Sequence, residues 1–574
     1  MDNFHIITVA KYNIVQVYKI CILNIGGICL KLIYKMEREF NPEKEQRVID
    51  LIKNMGEEYD EAKNTIIACK CNNEVKSLNH IIKPDDNIEL IDAATRDGRR
   101  IYIRGLLYIM SKALYELYPS ALLTVNYQLS NSILCELDNM EVTEEMIKKI
   151  NKRMREIVDS DLEIRKIGMS KKEAYKFYEK ENTLRGRLQL DNKEKKEISL
   201  YFCEDYFNYF YGVMPISTGY IKNFDVVKYH DGFLLRYPSK YSPNVLEEHV
   251  ETKKLLRTLD EYEDIHKTLG INTVYKLNKA IEEGRASEII SLAEALHEKK
   301  ISDIADKILE KRNVRVVLIA GPSSSGKTTF ASRLGVQLKL NGLKPVTISV
   351  DNYFVERKDT PLHDDGTYNF ECIEAIDLEL LNDHLTKLLN GEEVEVPTFD
   401  FREGTKKYTG EKMKLNEDEV LVMEGIHCLN DKLTSSIPRS QKYKVYISAL
   451  TVLNIDYYNR LSTTDTRLVR RIVRDYQFRG YNAIHTLETW NSVNSGEEKY
   501  IYPFQEQADS MFNTSLIYEW CVLKKHAQPL LKEITNKSRE YSEAKGLDNL
   551  LDYFTDIPDE LVPQNSLLRE FIGH

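Results

Sequence analysis

The run "VRVVLIAGPSSSGKTTF", residues 314–330, constrains this chain more than any other stretch. A continuous apolar strand leads into a glycine-framed loop. A helix then follows, with Phe330, Leu334 and Leu338 on one stripe. A strand apolar on both faces belongs in a parallel sheet covered by helices. The loop fits G-x-x-x-x-G-K-[ST] from Gly321 to Thr328. Glycines at those positions let backbone N–H groups turn inward around phosphate oxygens, and the helix start adds a favourable dipole end. Gly321, Ser323, Ser324, Ser325, Gly326, Lys327, Thr328 and Thr329 are therefore candidate ATP-binding residues. Lys327 is also a catalytic candidate because it reaches the outer phosphates. The Thr328 hydroxyl is a candidate Mg²⁺ ligand.

Three more strands follow in the same pattern. "KPVTISV" ends at Asp351, "EVLVMEG" ends at Glu424, and "YKVYISA" comes later. Ligands of such sheets lie beyond the carboxyl ends of the strands. Asp351 is placed to accept a proton from a substrate hydroxyl, and Glu424 to order Mg²⁺ or its waters. The bland alternatives are a turn Asp before Asn352 and a surface charge at a strand end. Arg467, Arg470, Arg471 and Arg474 fall at i, i+3, i+4 and i+7, on one helix face, with Arg479 beyond. Four guanidiniums on one stripe repel unless anions face them. A phosphate-clamping lid supplies such anions, and so do neighbouring acidic side chains.

The rest of the chain sets the context. At about 100–200 residues per domain, 574 residues make three or four domains. Basic residues number 80 against 90 acidic, a net charge of −10, so no global attraction to nucleic acid exists. The nine cysteines are scattered without a zinc or redox spacing, which fits reduced thiols in the cytoplasm. "ICILNIGGICLKLI" is too short for a membrane span, which needs roughly 20 apolar residues. It reads as a local strand pair, or as a translated leader before a start at Met36. No membrane association is expected. Helices are expected over 44–57, 101–118 and "EVTEEMIKKINKRMREIV", the last with Thr143 as N-cap. Strands are expected at "NTIIACKC", "DNIELID", "ALLTVNYQLS", "NSILCEL" and "GFLLRYP", with an Asn-Asn turn after the first. Residues 246–312 read as a helical connector.

Residues 313–574 resemble the uridine kinase / phosphoribulokinase family of P-loop kinases. The resemblance rests on "GPSSSGKTT", "SVDNYF", "YNFECIEAID", "VPTFDF", "VLVMEGIH" and "RLVRRIVRD", in the family's order. It implies an α/β P-loop kinase fold, with helices on both faces of a parallel sheet, and ATP and Mg²⁺ as cofactors. It also implies roles. Asp351 activates a sugar 5′-hydroxyl. Glu371 holds ribose hydroxyls and Arg471 contacts the ribose. Arg474 and Arg479 are lid arginines on the ATP phosphates. Phe399 and Phe401 flank the base. The chain departs from the family at Phe399, where a Tyr is usual, at Gly404, where a His is usual, and at Tyr481, where a further lid Arg is expected. Base discrimination depends on such hydrogen-bonding groups.

The front half carries a second resemblance. Residues 36–97 look like a truncated TGS domain. Residues 98–245 resemble the second additional domain of threonyl- and alanyl-tRNA synthetases, through "DGRRIYIRGLLYIMSKALYELYP", "LTVNYQLSNSILCEL" and "YGVMPISTGYIKNFDVVKYHDGFLLRYP". Both are α+β. The positions of that domain's metal ligands fall on Arg104, Tyr108, Phe210 and Met214, which cannot build an N/S metal site. A fold without the hydrolytic centre is expected, one that binds RNA or a small ligand, or regulates the kinase.

The expectation is an ATP-dependent kinase of a nucleoside 5′-hydroxyl, uridine- or cytidine-like. The rivals are a P-loop kinase of another small alcohol or sugar phosphate, and a nucleotide-gated tRNA- or ribosome-binding factor. The acceptor nucleoside, the oligomeric state, the role of the front half and the status of residues 1–35 are left open.

Overall fold

The computed structural model describes residues 5–10, 15–25, 28–34, 39–40, 45–54, 65–180, 197–363, 366–400 and 403–573. The chain forms two compact units. One gathers Met1–Val250 with two segments from far along the sequence, Ile455–Arg460 and Ile534–Gly546. The other holds Glu251–Asn454, Leu461–Glu533 and Leu547–His574.

The second unit is organised around a five-stranded parallel sheet. In chain order its elements are β1 (Val316–Ala320), α1 (Lys327–Leu340), β2 (Lys344–Ser349), α2 (Leu378–Leu389), β3 (Glu419–Glu424), β4 (Lys442–Ser448), α3 (Thr463–Arg474), α4 (Ala483–Tyr500), β5 (Ser510–Asn513), α5 (Glu519–Lys532) and α6 (Arg569–Ile572). The strand order is β2-β3-β1-β4-β5, all parallel. Every residue of β1 is buried. Val316, Leu318 and Ala320 share an apolar cluster with Leu381, Leu385 and Leu388 of α2. The opposite face is covered too, where α1 packs along β2 and β3. Four of these strands follow from apolar runs in the sequence. The fifth, "SMFN", is too short and too polar to stand out.

The stretch expected as a connector forms three helices, Lys253–Thr268, Val274–Glu282 and Ala286–Glu310. They pack within this same unit. Arg333 of α1 pairs with Glu294 and Glu298 at 3.3 and 2.7 Å, and Tyr262 Oη donates to the Asn513 carbonyl.

The first unit places two helices, Arg96–Leu117 and Glu144–Asp159, against an antiparallel sheet. Its strand order is Leu123–Leu129, Ser132–Leu137, Gly232–Arg236, Asp225–Tyr229. The second helix starts as its sequence indicates: Thr143 Oγ1 accepts the Met146 N–H at 3.3 Å. The first helix begins five residues earlier than its apolar stripe indicates, because Thr95 caps it through the Gly98 N–H. A smaller sheet contains Ile66–Cys71, Glu74–Lys76 and Ile88–Asp92. Asn72 and Asn73 both take positive φ, the geometry of a tight hairpin turn. Beside it the helix Val48–Lys53 is shorter than the expected 44–57, of which 44 and 55–57 lie outside the described residues. Val15–Ile25 and Ile28–Tyr34 pair as antiparallel strands, as their sequence indicates. Among the described residues no helix is long and apolar enough to cross a membrane.

Tyr108, Phe210 and Met214 fall in one apolar cluster of this unit, with the Tyr108 and Phe210 rings 5.6 Å apart edge-on. Arg104 donates to the Val213 carbonyl. The four positions are thus close together and are filled by packing side chains and one guanidinium. The unit also grips its two late segments. The Val125 N–H donates to the Tyr457 carbonyl, and the Tyr211 N–H to Asn459 Oδ1. Glu543 lies between Arg96 and Arg100, at 3.0 and 2.8 Å.

Candidate active site

The P-loop is shaped by close approaches that only glycine allows. A Cβ at Gly321 would stand 2.2 Å from the Ile447 carbonyl oxygen. Gly326 has φ +85°, and a Cβ there would meet Leu567 at 2.6 Å. Lys327 Nζ donates to the carbonyls of Gly321 and Pro322 at 3.1 and 3.3 Å. Ser324 and Ser325 are buried in the loop. Thr328 is exposed in the first turn of α1.

Three carboxylates stand at the carboxyl ends of the sheet. Asp351 lies in the short turn Val350–Tyr353 that follows β2. It touches solvent, yet protein atoms crowd out most of the bulk water around its carboxyl. That desolvation raises its pKa, against the pull of Lys327, Arg479 and Arg474. Glu424 ends β3 and accepts a hydrogen bond from Ser349 Oγ at 3.0 Å. Desolvation raises its pKa as well, opposed by Lys327 and reinforced by Asp351. Glu371 is pushed up to about 7 by desolvation and by Glu497, against Arg471 and Lys327. A glycine lets α4 approach it: a Cβ at Gly496 would sit 2.4 Å from Glu371 Cβ. All three carboxyls feel Lys327, and Asp351 acts on the other two. Lys327, Asp351, Glu371 and Glu424 therefore lie within electrostatic reach of one another.

The arginine stripe divides in two. Arg467 and Arg470 are fully buried and point away from a lid role. Arg467 pairs with Glu497, its Nη2 at 2.7 Å from Oε2, and donates to the Ser323 carbonyl. Arg470 pairs with Glu519 of α5 and donates to the Thr514 carbonyl at 2.8 Å. Neighbouring acids, the blander of the two readings, account for this pair. Arg471, Arg474 and Arg479 instead gather around Asp475 at 3.2, 2.8 and 3.7 Å. Arg471 also donates to Ser323 Oγ at 2.9 Å. After α3 the backbone widens into a π turn over Asp475–Arg479, which ends at Gly480 with φ +70°. This turn carries the exposed aromatics Tyr476 and Phe478.

The expected base-flanking residues are placed less directly. Phe399 is buried in the apolar cluster beside the sheet, its ring 5.6 Å from that of Phe354. Phe401 lies outside the described residues. Gly404 has φ +74°, and a Cβ there would come within 2.8 Å of Arg357 Cβ. Its carbonyl accepts the Arg357 N–H. Tyr481 lies against His485, ring centroids 4.4 Å apart.

Three acidic residues of the site have no motif to announce them. Glu497 accepts the Ser323 N–H at 2.9 Å. Asp475 collects Arg471, Arg474 and Arg479, and Glu570 accepts from Thr329. The arginine stripe was the available signal, since buried guanidiniums demand acidic partners.

Residues 316–516 match the family model described as "Phosphoribulokinase / Uridine kinase family". A uridine kinase of Mycoplasma genitalium is 34% identical over 178 residues, which are 31% of this chain and 74% of that protein. The chain belongs to the phosphoribulokinase / uridine kinase family. Another uridine kinase of this family, from Mycoplasma pneumoniae, is 30% identical over 34% of this chain and 82% of its own length. One from Halobacterium salinarum is 28% identical over 33% and 76%. Family membership makes the sheet-bearing unit an α/β P-loop kinase, a phosphotransferase that binds nucleotide. The matched region begins at β1 and leaves the first unit's Met1–Val250 outside it.

Proposed function

We propose that this chain is an ATP- and Mg²⁺-dependent kinase that phosphorylates the 5′-hydroxyl of a nucleoside, uridine- or cytidine-like, in the cytoplasm. The observation that carries the reading is the convergence of Asp351, Glu371 and Glu424 on Lys327, with Arg471, Arg474 and Arg479 at the same cleft.

In this reading Gly321, Ser323–Gly326 and Thr329 line the phosphate path. Lys327, Arg474 and Arg479 offset the charge that builds on the transferring phosphoryl group. Asp351 accepts the proton of the acceptor hydroxyl, and its raised pKa makes it a better base than an ordinary aspartate. Glu371 and Arg471 hold the vicinal ribose hydroxyls, which orients the 5′-oxygen for in-line attack. The Thr328 hydroxyl and the Glu424 carboxylate are oxygen donors of the kind Mg²⁺ takes, and the ion when bound screens the phosphate charge. The base contact is the least family-like part. A glycine at 404 offers no side-chain hydrogen bond, and Arg357 fills the space beside it.

The front unit takes no part in this chemistry. We assign residues 36–97 and 98–245 to TGS-like and synthetase-like modules in a binding or regulatory role. Salt-dependent tRNA binding by the full chain would support an RNA partner. The decisive experiment gives the full-length protein Mg²⁺–ATP and a panel of pyrimidine and purine nucleosides, with pentose phosphates as competitors. Turnover of a nucleoside to its 5′-monophosphate is expected. Turnover of sugar phosphates alone, or of nothing, sinks the proposal.

A further inference from the structure

The first N–H groups of a helix have no carbonyl partner inside it, and at a P-loop they face phosphate. In α1 one of these donors is already taken. The Thr329 N–H and the Thr329 hydroxyl both donate to Glu570 Oε2, at 3.2 and 2.7 Å. Glu570 lies on α6, four residues from the end of the sequence. Its charge is also felt by Glu424.

We infer that Glu570 is an internal anion that competes with nucleotide phosphate for the start of α1 and thereby sets the affinity for ATP. The inference rests on the P-loop being the nucleotide site. Two anions cannot both take one N–H, and the cleft already holds Asp351, Glu371 and Glu424. A polyphosphate that reaches Thr329 must therefore displace the carboxylate. The backbone that carries it stays in place. Ser566, Leu567, Leu568 and Phe571 are buried, and Leu567 abuts Gly326. The Arg569 guanidinium donates to the carbonyls of Asp559 and Gly573 at 2.9 and 3.0 Å. The Phe571 ring lies 5.0 Å from the Arg470 guanidinium. Glu570 itself is only partly buried, so the displacement is a rotamer change on a fixed helix. Thr329 then passes from one anion to another, and its donors are satisfied in both states.

A brace and a competitor give opposite results. If Glu570 merely braced the loop, its loss would weaken nucleotide binding. As a competitor, its loss strengthens binding. Full-length wild type, E570Q and E570D are titrated calorimetrically with Mg²⁺–ATP and with inorganic tripolyphosphate. E570Q is expected to bind both about tenfold tighter, the equivalent of one charge-assisted hydrogen bond no longer in competition. KM for ATP is expected to fall in parallel, and E570D to restore near wild-type values. Thermal melts of the three proteins without ligand check that each is folded. Binding by E570Q that is equal to or weaker than wild type overturns the inference. A folded wild type that binds neither probe overturns the nucleotide reading of the loop itself, which is a separate failure.

Discussion

Arg467 and Glu497 form a two-point ion pair with essentially no solvent exposure, and the same carboxylate accepts the N–H of Ser323 in the phosphate loop. The pair therefore does two jobs. It neutralises a charge that α3 must bury, and it fixes one side of the loop. Breaking a buried pair from one side leaves an uncompensated charge, at a cost of about 3–5 kcal/mol. Glu497→Gln is expected to lose that much in urea unfolding. A double replacement by apolar residues is expected to recover most of the stability, and not the loop geometry. A loss below about 1 kcal/mol for the single variant would show that the Ser323 carbonyl and Tyr502 hydroxyl suffice to hold the Arg467 charge.

Asp351→Asn removes the proposed base and keeps the shape. The expected fall in kcat is about 10²–10⁴-fold, the usual range for general-base removal. Binding of Mg²⁺–ATP, measured by titration, is expected to remain within threefold of wild type. Undiminished turnover would take Asp351 out of the proton transfer.

Glu371 gives a pH signature. Its folded-state pKa, about 7, lies above the ordinary glutamate value of 4.5. Between those two values the folded chain holds a proton that the unfolded chain has released. The contribution is thus fully present below pH 4.5 and is lost as the pH rises towards 7. Glu371→Gln is neutral throughout, so it is expected to flatten this part of the stability–pH curve and to melt higher than wild type above pH 7. Parallel melts from pH 4.5 to 8 test this, and identical curves for the two proteins would refute the shift.

Gly404 tests the departure from the family at the base side. A histidine there faces a left-handed φ and the Arg357 side chain. Gly404→His is expected to cost about 1–3 kcal/mol. It is not expected to improve uridine turnover unless Arg357 is shortened as well. A stable Gly404→His variant with raised uridine kcat/KM would mean that the loop relaxes around the new ring.

The phosphate loop, four of the five strands and the charged cleft were legible because each leaves a local trace. Apolar runs mark buried strands, glycines mark tight turns, Asp351 and Glu424 sit at strand ends, and Lys327 opens the helix after the loop. Glu497, Asp475 and Glu570 were not legible, because an acid on a helix reads the same whether it faces water or a buried guanidinium. The arginine stripe shows the limit from the other side. The spacing of Arg467, Arg470, Arg471 and Arg474 put them on one face, but Arg467 and Arg470 are buried against Glu497 and Glu519, while Arg471 and Arg474 meet Asp475. β5 was missed because four residues with polar ends carry no periodicity. The long reach of Tyr457, Tyr458 and Glu543 to residues early in the chain has no sequence signature, since partners such as Val125, Phe210 and Arg96 stand far away in the sequence.

That reach has a practical side. A protein cut at Val250 would strand Ile455–Arg460 and Ile534–Gly546 without the neighbours that now cover them. Tyr458 would face water, and Glu543 would lose both guanidiniums. The first of these segments ends two residues before Ser462, the cap of α3, so fraying there unwinds towards the arginines. The amino-terminal unit is completed by two stretches from far along the chain, and excising it is less like removing a tag than like pulling a thread from woven cloth.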